Sequence, residues 1–399
     1  MNGKAPGVDR QRIEVIDALR GLGVLGILAV NASFMAGTLT QAVEPRAWPF
    51  PNSGASLAVW GLVHVFFESK FITLFSLLFG VSTYLVGGEP GDARRTATLL
   101  RRFGWLALFG ALHGGLVWYG DVLLDYAVCG FAVMGLRGWS ARRLIAAGVA
   151  GFVSGVAFMT LAPALPGFFA LILPAAPPAA AAFQGGFAGS LQANLASWAQ
   201  YRALVAFFTL PYCAPLMLVG LGLFKSGALT GAASPRLYRA AIAVGLGALA
   251  VYAASTIAHA RAGFADDHGG AWDGLLLNLT SPFVTLGYAA ALVLSTRTHA
   301  FAWMVRALAP LGRMAFTNYI AQSLLMTMVF YGGRGPGLFN RVDRPGLALV
   351  VLAVWAIELA WSHWWLRRFD AGPLEWGWHC LAHARLRPIG RAGRARAIE

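Results

Sequence analysis

Apolar residues in this chain come in long runs with short polar gaps, from Val15 to Leu366. A bilayer-spanning helix needs about 20 mostly apolar residues. Inside lipid, only helices and closed barrels satisfy every backbone polar group. The runs predict spans at roughly 17–38, 62–87, 104–119, 121–137, 144–165, 202–224, 238–260, 274–295, 314–332 and 346–366. The third and fourth are short and share the tight turn Trp118-Tyr119-Gly120, which makes them a helical hairpin. The segment 166–200 carries no charge and is rich in Ala, Pro and Gly. Periodicity there leaves an outer loop, a re-entrant helix and an interfacial helix all open. The expected fold is all-α: an integral membrane protein of about ten transmembrane helices, forming one polytopic domain over 1–399.

Composition agrees. Hydrophobic residues make up 58% and charged residues 12%, where a soluble domain carries about 25% charged. The formal net charge of +14 is no sign of nucleic acid, because the basic residues flank apolar runs and form no patch with stacking aromatics. Placing both termini in the cytoplasm puts 24 of the 31 Lys and Arg on one side, from Lys4, Arg10 and Arg12 through the loops to Arg391, Arg394 and Arg396. That bias follows the positive-inside rule, and it turns the basic loops toward the anionic headgroups of membrane lipids. The first apolar stretch is too long for a cleaved signal core and reads as a retained span. Cys129, Cys213 and Cys380 stand at no metal-ligand spacing, and no metal site is expected.

Polar residues inside spans are costly and mark candidate function. Three groups stand out. Asp17 and Arg20 are i,i+3 on the first helix, a pair that can set topology or bind phosphate. Asn31 lies eleven residues beyond Arg20, on the same face about 16 Å away. The second group is His64, Glu68 and Lys70, then His113, then Asp121 and Asp125. Asp121 and Asp125 are i,i+4, and either can face His113 across the hairpin, where Ala111, Gly114 and Gly115 permit close approach. A carboxylate that fixes a histidine tautomer is the usual setting of a general base. The third group is Arg313, Asn318 and Gln322, followed by Glu358, Ser362 and His363; such stripes serve interhelical hydrogen bonding or line a substrate cavity.

At these residues the chain resembles the bacterial YeiB-like proteins, domain of unknown function 418. The resembling stretches are Asp17-Ala-Leu-Arg20-Gly through Asn31, Phe67-Glu68-Ser-Lys70-Phe and Leu112-His113 through Asp125-Tyr126-Ala127. They continue in Gly312-Arg313-Met314 through Gln322-Ser323 and in Gly372-Pro373-Leu374-Glu375-Trp376. The resemblance covers nearly the whole chain. It implies a helical core over 1–295 and a C-terminal YeiB-like region over 296–399 with a basic tail. That family is similar to the transmembrane acyltransferases, including heparan-glucosaminide acetyltransferase, which move an acyl group from cytoplasmic acyl-CoA to an acceptor across the membrane. In the related acyltransferase-three proteins an early arginine is followed eleven residues later by an essential histidine. Arg20 matches the arginine, but the histidine position holds Asn31, so the resemblance shifts the role of base to His113. The heparan branch resembles the hairpin arrangement more closely.

Two functions follow. As an acyltransferase in a bacterial inner membrane, Arg20, Asp17 and Arg313 would hold the co-substrate acyl-CoA, and His113 with Asp121 or Asp125 would supply the base. Asn31, Glu68, Lys70, Asn318, Gln322 and Glu358 would line the site for a sugar, lipid or small-molecule acceptor. As a proton-coupled transporter or flippase, the same polar groups would form a relay. The sequence leaves the donor, the acceptor and a homodimeric assembly open.

Overall fold

The computed structural model describes residues 6–173, 178–265, 269–296 and 302–390. Lys4, Arg297, Arg391, Arg394 and Arg396 of the basic count lie outside them. Helices dominate the described residues, in the order α1 (Pro6–Ala36), α2 (Leu39–Val43), α3 (Gly54–Phe66), α4 (Lys70–Gly87), α5 (Ala93–Leu116), α6 (Leu123–Met134), α7 (Ala141–Leu161) and α8 (Phe168–Ile172). They continue with α9 (Ala180–Gln184), α10 (Phe187–Lys225), α11 (Pro235–Arg261), α12 (Gly269–Ser295), α13 (Ala302–Arg313), α14 (Ala315–Phe330), α15 (Arg344–Leu366) and α16 (Pro373–His383). No strand occurs among the described residues beyond isolated bridges.

Outward-facing positions are apolar. Val244, Leu246 and Val251 on α11, and Leu349 and Ile357 on α15, are each more than half exposed. Apolar stripes of that extent belong against lipid rather than water. The chain is therefore a multi-pass membrane protein. Seven segments are long and apolar enough to cross a bilayer: Glu14–Ala36, Gly54–Gly87, Ala141–Ala164, Phe187–Lys225, Pro235–Arg261, Ala271–Ser295 and Arg344–Leu366.

Three further segments read as spans from sequence, α5, α6 and α14, fall short of those criteria. The first half of α5 carries Arg94, Arg95, Arg101 and Arg102. α6 has 12 residues and α14 has 16. The uncharged stretch 166–200 resolves into the short helices α8 and α9 and the first turns of α10. α10 runs 39 residues with Pro211 and Pro215 inside it. Pro215 deprives the Pro211 carbonyl of its helical partner. That carbonyl lies against Gly155 of α7, where an added Cβ would sit 2.3 Å away.

The apolar run 62–87 is two helices rather than one. α3 stops at Phe66 and α4 starts at Lys70, with Ser69 at φ 60° between them, a conformation that costs a non-glycine residue energy. At the break Lys70 is fully buried and Glu68 is partly buried.

Two ends of the bundle are set by backbone-directed contacts. At the basic end, Lys225 Nζ donates to the Arg137 carbonyl (2.6 Å) and Arg137 Nε donates to the Gly88 carbonyl (3.2 Å). At the opposite end, Arg334 donates to the carbonyls of Val117 and Leu116 (3.1 Å each), and the Asn340 amide donates to Ala36 (2.8 Å).

Glycines fix the tightest crossings. A Cβ on Gly312 of α13 would lie 1.7 Å from the Asp17 carbonyl oxygen, and one on Gly21 of α1 would lie 2.1 Å from that of Leu308. Gly80 of α4 and Gly220 of α10 meet the Met217 and Leu77 carbonyls at 1.9 and 2.0 Å in the same sense. Backbone contact of this kind is how membrane helices gain packing where the hydrophobic effect cannot drive them together. Gly312→Val is expected to cost about 3 kcal/mol, the upper end of overpacking penalties, and to lower the thermal midpoint in detergent. A control with open space at the added Cβ, Gly377→Val, where nothing lies within 4 Å, should move it far less.

Candidate functional site

The hairpin α5–α6 leaves the helix inside the bundle, where Trp118 and Tyr119 are buried. Backbone groups there need protein partners. Asn194 of α10 supplies three contacts: Nδ2 donates to the carbonyls of Gly114 (2.9 Å) and Gly115 (2.7 Å), and Oδ1 accepts the Tyr119 amide (2.8 Å). Asp121 supplies the rest. Its Oδ2 accepts the Leu124 amide (3.1 Å), and its Oδ1 accepts Nδ1–H of His113 (2.9 Å).

This donor set fixes the tautomer of His113 and leaves its Nε2 as a buried nitrogen with no hydrogen-bond partner among the described residues. Gly110 makes the pairing fit, since a Cβ there would lie 2.4 Å from the Leu124 amide nitrogen. Gly114, expected to bring the hairpin arms together, instead admits Trp198 of α10, and Gly115 faces Leu195 of the same helix.

Asp125 does not face His113. It pairs with Arg202 of α10 (2.5 Å), a residue that sequence reading leaves at the edge of a span.

Beside this hairpin lies a cavity of about 340 Å³. Asp17, Arg20, Arg102, Arg313, Asp370 and Glu375 line its polar part, and Phe75, Leu78, Leu123 and Tyr319 are among its apolar walls. Arg20 bonds Asp17 (3.0 Å) and Ser82 Oγ (2.9 Å). Arg313 donates to the Asp370 carbonyl (2.8 Å). Glu375 accepts the Phe316 amide (2.6 Å), the Thr317 amide (3.0 Å) and the Thr317 hydroxyl (2.5 Å), which caps α14. Burial pushes the Glu375 carboxyl above its ordinary range, against the pull of these donors. Arg102 stacks on Trp378 of α16, 3.6 Å from the ring centroid, and makes no ion pair among the described residues. His113 does not line the cavity. Tyr319 does, and its ring centroid lies 5.2 Å from that of His113.

The remaining predicted residues fall elsewhere. His64 binds Glu68 through Nδ1, and its Nε2 contacts Asp273 Oδ2 (2.9 Å) and the Tyr252 hydroxyl (2.6 Å). A ring that donates to both carboxylates keeps no lone pair for a base. Lys70 is fully buried; it donates to the His64 carbonyl (3.3 Å) and sits over the Tyr252 ring. Asn318 bonds Ser362 (3.0 Å) and accepts the Trp361 indole (2.8 Å), while Gln322 joins Glu358 (2.8 Å) to the Val24 carbonyl (3.0 Å).

Asn318, Gln322 and Glu358, expected on a substrate wall, are buried between α14 and α15 and line neither this cavity nor the one beside His64. Asn31 and Lys70 line neither cavity as well; Glu68 lines the second. No group of three or more His, Cys, Asp or Glu suited to a metal occurs among the described residues.

Comparison with known proteins places the chain. Residues 223–385 match the family described as a protein of unknown function, DUF418. The uncharacterized protein YeiB of Escherichia coli is 30% identical, with the match covering 96% of this chain and 98% of YeiB. The chain belongs to the YeiB-like DUF418 family. The uncharacterized protein YxaH of Bacillus subtilis is similar at 27% identity over 98% of this chain and 99% of its own length. No solved structure matches the chain.

The Asp125–Arg202 pair can be tested alone. Arg202→Ala leaves a buried, uncompensated carboxylate and is expected to cost about 3–5 kcal/mol. Replacing both partners, Arg202→Met with Asp125→Leu, should recover most of that loss in detergent thermal melts. An equally unstable double variant would mean that the pair's charge compensation is not what holds α6 to α10.

Proposed function

We propose that this YeiB-like protein is a membrane acyltransferase, taking an acyl group from acyl-CoA at the basic, cytoplasmic end. It passes that group to a hydroxyl- or amine-bearing sugar, lipid or small molecule reached from the other side. One observation carries the reading: an arginine-lined cavity whose inner wall, Tyr319, separates it from an aspartate-oriented imidazole whose Nε2 has no partner among the described residues. Arg102, which makes no ion pair among the described residues, and Arg20 are the groups to meet the CoA phosphates, since guanidinium forks suit phosphate oxygens. The apolar walls between Leu78 and Leu123 suit the pantetheine arm and acyl chain.

In the transfer step His113 Nε2 takes the acceptor proton as the acceptor oxygen or nitrogen attacks the thioester carbonyl. The C–S bond then breaks and CoA leaves as a thiolate, which the imidazolium reprotonates. Asp121 holds the ring in the tautomer that can accept and steadies the imidazolium. Movement of the Tyr319 side chain would open Nε2 to the cavity. His113→Ala is expected to lower turnover by about 10²–10⁴ with acyl-CoA affinity unchanged. Arg102→Gln, which breaks no ion pair, should weaken acyl-CoA binding by about tenfold. Retained turnover in His113→Ala would remove the imidazole from the reaction.

A second reading has its own observation. The α3–α4 break places His64, Glu68 and Asp273 together, and interrupted helices with buried charges are typical of transporters. Proton-coupled flux in liposomes without acyl-CoA, lost in Asp273→Asn, is the outcome that would favour it.

A further inference from the structure

On the other side of α1 from the arginine-lined cavity lies a second one of about 300 Å³, between α1, α3 and α15. Its α15 wall runs from Arg344 to Trp355, eleven residues or about 16 Å of helix. Its middle is apolar, formed by residues such as Val63, Leu347 and Val351. Leu62 and Leu352, on the two facing helices, are each 53% exposed, so the cavity opens sideways onto the lipid-facing surface.

The end toward Arg344 is built differently. Arg344 is more than nine-tenths buried, stacks 4.9 Å from the Trp48 ring centroid and donates to Asn52 Oδ1. It makes no ion pair among the described residues. The adjacent Asp343 is committed to capping α15, its Oδ1 accepting the Gly346 amide (2.9 Å). Trp48 is also more than nine-tenths buried, lines the same cavity, and its indole Nε1–H has no hydrogen-bond partner among the described residues.

A buried guanidinium without a carboxylate and an indole donor without an acceptor are an electrostatic demand for an anion. An apolar slot with a lateral opening is a demand for a hydrocarbon chain. One class of molecule meets both.

We propose that this cavity binds an anionic phospholipid drawn sideways from the bilayer. Its phosphate is held by Arg344 and the Trp48 N–H, and its chain lies along Leu62, Val351 and Leu352. The proposal rests on this cavity alone and not on the acyl-transfer reading. A free phosphate ion would satisfy the donors and leave the apolar slot without an occupant, which is why the lipid is favoured over it.

The test uses the full chain purified in a neutral detergent, with phosphatidylglycerol added as the probe and binding read by native mass spectrometry and thermal shift. Saturable binding to the wild type is expected, weakened about tenfold or more in Arg344→Gln, which loses a charge-assisted contact, and about fivefold in Trp48→Phe, which loses one neutral donor. Arg341→Gln, at an exposed position on the loop that leads into α15, should bind as the wild type does. Inorganic phosphate at millimolar concentration should not displace the lipid.

Unchanged binding in both Arg344→Gln and Trp48→Phe overturns the proposal. So does an equal loss in Arg341→Gln, which would make the effect one of general charge, and so does displacement by inorganic phosphate. If Arg344→Gln does not fold, Trp48→Phe decides, because it keeps the ring on which the guanidinium stacks. Loss of acyl transfer in His113→Ala with lipid binding intact keeps the two claims separate.

Discussion

A backbone that stops being helical inside an apolar bundle must find every hydrogen bond within the protein, because no water is there to supply one. The α5–α6 hairpin meets this constraint at its buried tip. Asn194 takes the last carbonyls of α5 and the amide of Tyr119, and Asp121 takes the Leu124 amide that opens α6. With Oδ2 spent on the fold, Oδ1 of Asp121 is held where His113 Nδ1 can reach it. The orientation of the imidazole is thus a by-product of closing the hairpin. Trp198, admitted by Gly114, packs α10 against the same tip, so the position of the imidazole depends on three helices at once.

Two histidines, His113 buried and His64 partly so, show how neighbours decide chemistry. His113 has one carboxylate and an open nitrogen; His64 has carboxylates at both nitrogens and a tyrosine hydroxyl besides. α1 forms a wall of each cavity. Asp17, Arg20 and Ile27 face the first, and Ala29, Val30 and Ser33 face the second. The eleven-residue spacing of Arg20 and Asn31 puts them on one helical face, but a cavity is bounded by what packs against that face. The first cavity closes near Ile27 and Tyr319, before Asn31 is reached.

The helical architecture and the His113–carboxylate hairpin could be read from the chain, because both depend on near-neighbour spacing. What escaped the reading has a common physical origin. Arg102, Arg202, Asp273 and Arg344 each lie at or within two residues of the edge of an apolar run. An apolar window ends where charge begins, so a charged residue at its edge reads as loop. The fold draws such residues inward when a partner waits elsewhere in the chain: Trp378 for Arg102, Asp125 for Arg202, His64 for Asp273 and, in the segment between α2 and α3, Trp48 for Arg344. Those pairings are separated by 77 to 296 residues in the chain, with 77 for Arg202 and Asp125, and no periodicity connects positions so far apart. The break at Ser69 was hidden for a related reason, since apolar residues on either side of Glu68 and Lys70 keep the average hydropathy of the run high.

Polarity by itself does not separate structural residues from reactive ones in such a bundle. Asn194 and Asn318 are fully buried and polar, yet both ends of each amide are engaged by neighbouring helices. They act as glue, and their removal would leave orphaned backbone or side-chain groups. His113 Nε2 and Trp48 Nε1 are equally buried and have no partner among the described residues. An unpartnered atom is not enough either: Trp118 Nε1 and Trp198 Nε1 share that state, but neither residue lines one of the two cavities. Trp48 lines a cavity itself, and His113 is one ring removed from one. A buried donor or acceptor costs free energy until something meets it, and only at a cavity can that something arrive from outside the chain. Hydrogen-bond accounting joined to cavity geometry therefore distinguishes the groups that hold this fold from those that await a ligand.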